Sequence, residues 1–225
     1  MWIKKNADVV VQGELEFSSN SINQTNAYEA TITEAYIQKA KNSESVSVVI
    51  GIKTDSDETA KTFFTVMGKD GKEYFVSSVK GKEVKKQHFG LSIVNSLFKL
   101  VLEKEIFDCD PESMTIQQYD KDEKEMKDVK VDGFPILIGK KIGACVQIIR
   151  EIKGADSKEY PNIVHFFDTE TGLFADEETG KVKTKLDMWL AGKKEFQIVQ
   201  KEEAPKTSFG GSSNKEDAPK SKWSK

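Results

Sequence analysis

From Tyr28 the chain alternates apolar and polar positions. Tyr28, Ala30 and Ile32 stand against Glu29, Thr31 and Thr33, the period-two signature of a half-buried strand. After the polar gap Lys39 to Glu44, the residues Val46, Val48, Ile50 and Ile52 repeat the pattern. The run T-F-F-T-V within Lys61 to Met67 predicts a third strand, and Glu73-Tyr74-Phe75-Val76 a fourth. Lys69-Asp70-Gly71 between them predicts a tight hairpin, because glycine takes positive φ at no steric cost. The period then changes. Leu91, Val94, Leu97, Phe98, Val101 and Leu102 recur at three- and four-residue spacing, which predicts a helix over Phe89 to Lys104. Asp108 to Lys130 is polar and charged and reads as a long connection. Ile138 to Ile152 and Tyr160 to Asp168 read as strands around a turn at Lys153 to Asp156, and Thr184 to Gly192 as a short helix ended by its glycine.

Val9-Val10-Val11 suits a short strand, and the Ser/Asn/Gln-rich run Ser18 to Asn26 a loop. The order of elements is three or four strands, one helix, then two strands. That order predicts a mainly β fold, a five-stranded OB-fold barrel with its helix between strands three and four. Residues 28–170 would form that domain, with an N-terminal extension at 1–27 and a C-terminal extension at 171–200. Residues 201–225 are rich in Gly, Ser, Pro, Lys and acid. Such a composition buries too little apolar area to offset the entropy of ordering, which predicts a disordered tail.

Composition narrows the function. Of 225 residues, 37% are apolar and 32% charged, and the net charge is -3. No global positive field attracts polyanions, so a nucleic-acid binder would have to gather its lysines on one face. The first residues lack the apolar core of a signal peptide, no run is long enough to span a bilayer, and Cys109 and Cys145 lie far apart. A soluble protein of a reducing cytoplasm, with no membrane partner, is the expectation. Cys145 sits in an apolar run and is expected to be a buried, inert thiol.

Candidate chemistry centres on F-P-I-L-I-G-K-K-I-G-A-C-V-Q-I-I-R, from Phe134 to Arg150. It is not a Walker A loop. Gly133 and Gly139 are one residue too far apart, Lys141 stands where Ser or Thr should bind magnesium, and a strand follows where a helix is required. Two readings remain. The glycines permit a bent strand entry with Lys140 and Lys141 facing water, or those lysines contact a phosphate backbone.

The strand Y-E-A-T-I-T-E-A-Y, the K-D-G turn, the helix, L-I-G-K-K-I-G and F-F-D-T-E-T-G, taken together over Tyr28 to Glu177, resemble bacteriophage single-stranded DNA-binding proteins with one OB-fold. The resemblance implies sequence-independent binding of single strands in phage DNA replication, recombination and repair, in the cytoplasm of the infected bacterial host. It implies replication proteins, a polymerase or helicase, as partners of the C-terminal tail. The basic end A-P-K-S-K-W-S-K, carrying Trp223, departs from the acidic tip of that functional class and puts such recruitment in doubt. Single-strand binding needs cations along the backbone and rings that stack with bases, on the exposed face of strands two and three and the loops beside it. That mapping selects Lys39, Lys41, Lys53, Lys61, Lys140, Lys141, Arg150, Lys153 and Lys158 for phosphates. Tyr36, Phe64 and Tyr74 are selected for stacking, and Tyr160 sits beside the second loop. In the pairs Phe63/Phe64, Tyr74/Phe75 and Phe166/Phe167 the two members point to opposite sides of the sheet.

Other classes fit less well. Glu151-Ile152-Lys153 with Asp132 outlines a metal-dependent nuclease, but the helices of that fold are missing. His88 and His165 do not cluster with the cysteines at zinc spacing, and no nucleophile elbow is present. No enzyme activity, metal or cofactor is therefore expected. A protein-interaction or virion structural module on an OB-like barrel is the alternative, since fold does not imply function.

Overall fold

A computed structural model of the chain describes residues 20–79, 82–120, 123–154, 156–180 and 182–201. The expected strand at Val9 to Val11 and the tail residues beyond 201, Trp223 among them, lie outside that range. The described residues form ten strands and two α-helices. The strands are β1 (Asn26–Lys39), β2 (Val46–Thr54), β3 (Thr59–Met67), β4 (Tyr74–Val79), β5 (Lys82–Gln87), β6 (Glu112–Asp120), β7 (Glu125–Gly133), β8 (Lys141–Lys153), β9 (Asp156–Phe167) and β10 (Gln197–Gln200). The helices are α1 (Phe89–Leu102) and α2 (Lys185–Gly192). The protein is mainly β, as expected, with α1 between the first strands and the last.

Eight strands join in one sheet, where five were expected, and backbone pairing does not close it. Its centre runs β9-β8-β1-β2-β3, each neighbour antiparallel. The curl of the sheet brings its two ends together. The Ile163 amide of β9 donates to Thr62 Oγ1 of β3 at 2.8 Å, and the Phe64 and Phe166 rings meet at 6.0 Å. A side-chain seam thus stands where a ladder would close a barrel. The core behind it holds Ile32, Val48, Ile50, Ile52, Ile163 and Phe166, with Leu97 and Phe98 from α1.

Helix α1 buries Leu91, Ile93, Val94, Leu97 and Phe98. Its first turn presses on β3. A side chain at Gly90 would place Cβ 2.5 Å from the Thr65 carbonyl oxygen, so only glycine fits. The segment Phe134 to Lys140 proves to be the bent strand entry. Pro135–Leu137 forms a 3-10 turn, Gly139 takes φ +80°, and the Ile32 amide donates to the Lys140 carbonyl at 2.9 Å. In F-F-D-T-E-T-G, Phe166 enters the core and the Phe167 ring lies over Gly143. Asp168 then caps a turn by accepting from the Thr171 amide at 2.7 Å. The Thr171 hydroxyl donates to the same carboxylate at 2.7 Å, and these two hydrogen bonds, the hydroxyl's first, hold the Asp168 carboxyl below its ordinary range.

Several expectations are corrected. The Asp70-Gly71 turn forms, with Gly71 at φ +73°, but it does not join a paired hairpin. β4 pairs instead with β5, as a separate two-stranded sheet. The presumed connection Asp108 to Lys130 holds the hairpin β6–β7, which joins β1 where Gly133 pairs with Tyr36. It read as a loop because its inner side is only half-buried and short, Met114 and Ile116 against Val131 and Val129, within a stretch dominated by charged and polar residues. Residues 20–25 are part of the body. Ile22 is in the core, and the buried Thr25 hydroxyl accepts from Gln147 Nε2 and the Ile148 amide, both at 2.9 Å. Thr25 Oγ1 also donates to the Glu195 carbonyl at 2.6 Å, which ties down the chain before β10. β10 then pairs parallel with β8, so the 171–200 extension contributes a strand to the sheet.

Candidate nucleic-acid interface

Strand register sorts the side chains of β1, β2 and β3 into rows across the outer face. Lys141, Thr31, Lys53 and Thr59 form one row, over strands β8, β1, β2 and β3. Glu34, Gly51 and Lys61 form the next, and Tyr36, Val49 and Phe63 the one after. The inner face is the opposite set: Ala60, Thr62 and Phe64 on β3. A register shift between Ile32 and Glu34 accommodates an extra residue in β1, which turns Tyr36 outward although Ile32 points in.

The outer face thus holds Lys53, Lys61 and Lys141 together with one exposed ring, Phe63, at 54% exposure. Lys53 pairs with Asp57 at 2.6 Å, and Lys61 reaches across Gly51 to Glu34 at 2.6 Å. Among the described residues no carboxylate pairs with Lys140 or Lys141. Beside Lys61 the face dips into a cleft of about 360 Å³, lined by Glu34, Thr59, Lys61, Tyr160 and Pro161. Farther along the β3–β9 seam a second hollow of about 380 Å³ is lined by Phe63, Phe75, His88, Phe89 and Asn162. Phe75 and Phe89 are both exposed, and the Phe75 and His88 rings meet at 5.8 Å. Tyr160 lines the first hollow and Phe63, Phe75 and Phe89 the second; the two follow one another along the β3–β9 seam, which is the candidate groove.

Both loops of the expected map sit at its ends. Lys39 and Lys41, exposed, flank the β1–β2 connection beside the Met67 end of β3, since Val46 pairs with Met67. Lys153 and Lys158, also exposed, flank the tip of the β8–β9 hairpin beyond the Thr59 end. Arg150 is committed elsewhere. Its guanidinium binds Glu159 at 2.5 Å and lies 3.6 Å from the centre of the Phe196 ring, which fastens β8 to β9 and to the segment entering β10.

The stacking residues are corrected. Phe64 is 4% exposed and belongs to the core; its neighbour Phe63 faces out. Tyr74 lies on the β4–β5 hairpin under Lys85, whose Nζ is 4.6 Å from the ring centre; its neighbour Phe75 lines the groove. Tyr36 is on the outer face but only 6% exposed, where β7 crosses β1 and Gly133 abuts it. Burial, and then the nearby Glu34 carboxylate, raise its phenol pKa.

Sequence reading also passed over Phe89, Trp189 and the lysines Lys82, Lys85 and Lys86 of β5. All six positions of β5 are exposed. The signal was present for Phe63. Lys61 shares its parity, while Ala60 and Thr62 share that of Phe64.

Cys145 is buried, and burial pushes its thiol up to about 12. Glu151 of the nuclease outline is bound by Lys201 at 2.8 Å. Among the described residues no helix is long and apolar enough to cross a membrane. Neither protein-family models nor curated proteins match the sequence.

Proposed function

We propose that the chain is a sequence-independent single-stranded DNA-binding protein on an OB-like arrangement, acting in phage DNA replication and recombination. Support for the arrangement comes from the strand order β9-β8-β1-β2-β3 and the Thr62–Ile163 seam, which follow the connectivity of an OB barrel with an incomplete ladder. The observation that carries the function is the groove itself. Tyr160, Phe63, Phe75 and Phe89 present rings along the β3–β9 seam, and Lys53, Lys61 and Lys141 stand on the adjoining face. Rings of this kind stack with any base, and amines track any phosphate, so affinity without sequence preference follows. Paired bases hide the faces that the rings need. Binding therefore draws the duplex–strand equilibrium toward open DNA by mass action.

The test is fluorescence anisotropy with oligo(dT) and with its duplex, over a range of salt. Single strands bind more tightly than duplex, and log K falls with log salt by about 0.7 for each lysine–phosphate contact. Lys141→Ala reduces that slope by about one such contact. Affinity that ignores salt, or equal affinity for duplex, refutes the reading.

The second reading, a protein-interaction or virion structural module, is favoured by the ion pairs. Lys53, Lys61 and Arg150 already hold Asp57, Glu34 and Glu159, and each pair must open or rearrange to meet a phosphate.

A further inference from the structure

Beyond Phe89 the groove opens into a third hollow, of about 360 Å³, between α1, the end of β9 and α2. It shares Phe89 and Ile93 with the hollow beside Phe63. Phe89, 67% exposed, stands at the junction. Phe174 and Trp189 supply further apolar wall, and Ser92 and Ser96 line the helix side. His165 is part of the lining, its ring 6.4 Å from Phe89 and 5.2 Å from Phe174. Neither imidazole nitrogen has a hydrogen-bond partner among the described residues, so the imidazole's donor and acceptor remain available. At the rim Lys185 binds Asp176 at 2.5 Å.

The C-terminal extension builds this hollow and is held in place to do so. The Glu177 carboxylate accepts from the Lys185 amide at 2.6 Å and from the Phe174 amide at 3.3 Å. Thr184 caps α2 by accepting from the Asp187 amide at 3.1 Å, and Asp187 in return accepts from the Thr184 amide at 3.0 Å. Ring walls with a few convergent polar groups, at the small end of ligand-pocket volumes of about 300–1,000 Å³, suit one planar heterocycle.

Resting on the single-strand reading above, we infer that this hollow is a subsite for one unpaired nucleobase, which leaves the groove at Phe89 and inserts beside Trp189 with its edge toward His165. The base must be unpaired to enter, because its hydrogen-bonding edge meets protein. The subsite thus adds discrimination against duplex that an open stacking surface lacks.

The sequence contains three tryptophans, Trp2, Trp189 and Trp223. The full chain carrying Trp2→Phe and Trp223→Phe reports on Trp189 alone. Titration with oligo(dT) is expected to quench Trp189 emission at the concentrations where anisotropy shows binding. Ser96→Phe, on the helix surface, fills the hollow without touching the core. It is expected to abolish the quench and to weaken binding by about 5- to 150-fold, the value of one base stack. Anisotropy that shows binding while Trp189 emission stays constant, or Ser96→Phe binding like the parent chain, overturns the subsite and leaves single-strand binding standing. No binding of oligo(dT) by anisotropy overturns both.

Discussion

Phe63 and Phe64 are consecutive, chemically identical and opposite in fate, which makes them the sharpest test of the interface. Phe64 is 4% exposed and meets Phe166 across the seam; Phe63 is 54% exposed on the outer face. Truncating a buried phenylalanine to alanine removes its transfer free energy and leaves a cavity, about 3–5 kcal/mol in all. Full burial of such a side chain is worth roughly 1.5–3 kcal/mol, and Phe63 has less than half of it, so Phe63→Ala should cost roughly 1 kcal/mol. Affinity should divide the other way. Loss of a base stack is worth about 1–3 kcal/mol, or about 5- to 150-fold in Kd, and falls on Phe63→Ala. Phe64→Ala, under conditions where it remains folded, should bind close to normally. Urea denaturation followed by circular dichroism gives the first quantity, and oligo(dT) anisotropy the second. Equal stability losses would refute the assignment of faces. A fully folded Phe63→Ala with unchanged affinity would refute the groove.

Three further outcomes follow from the packing. Gly90→Ala brings a methyl group to 2.5 Å from the Thr65 carbonyl oxygen, so α1 must shift on β3; about 1–3 kcal/mol of destabilisation is expected in urea titration. Burial, modulated by Asp176 and Lys185, holds the His165 imidazole below its ordinary value of 6.5. The unfolded chain therefore takes up the proton first; the stabilising contribution is complete above 6.5 and is lost as pH falls from there through the folded value. His165→Gln should flatten that acid limb in urea midpoints measured against pH. Finally, a thiol reagent should label the partly exposed Cys109 in the native protein and reach the buried Cys145 only in denaturant, which mass spectrometry of the labelled peptides resolves.

The elements that could be read from the sequence are those whose partners impose one clear period. β3 alternates because the core lies on one side only, α1 repeats at helical spacing because it packs on the inner face, and β2 was legible from its apolar run although Val48 to Ile52 are buried on both sides. The β6–β7 ribbon carries the period weakly: Met114 and Ile116 face Val131 and Val129 on one half-buried side, but charged and polar residues surround that short patch and mask it. β10 was hidden for another reason: four residues, Q-I-V-Q, become a strand only because the edge of β8 beyond β1 is unpaired and Thr25 and Gln147 anchor the chain beside it. The candidate site depended on face more than on element. Alternation states that Phe63 and Phe64 diverge, and likewise Tyr74 and Phe75, but the choice of inner side is made by contacts distant in sequence. Phe64 is inward because Phe166 waits across the seam, and Phe75 meets the groove because its hairpin folds against His88. For Tyr36 even the correct face was insufficient, because β7 crosses there and covers it. Lysines suffered less, since an amine is exposed wherever it stands, and every lysine assigned to the groove on β1, β2, β3, β8 or β9 is exposed. Exposure alone does not make a phosphate contact, however. Of the three lysines on the outer face, Lys53 and Lys61 have carboxylates in hand, whereas Lys141 has none among the described residues, so on that face Lys141 is the cation that a strand meets at least cost.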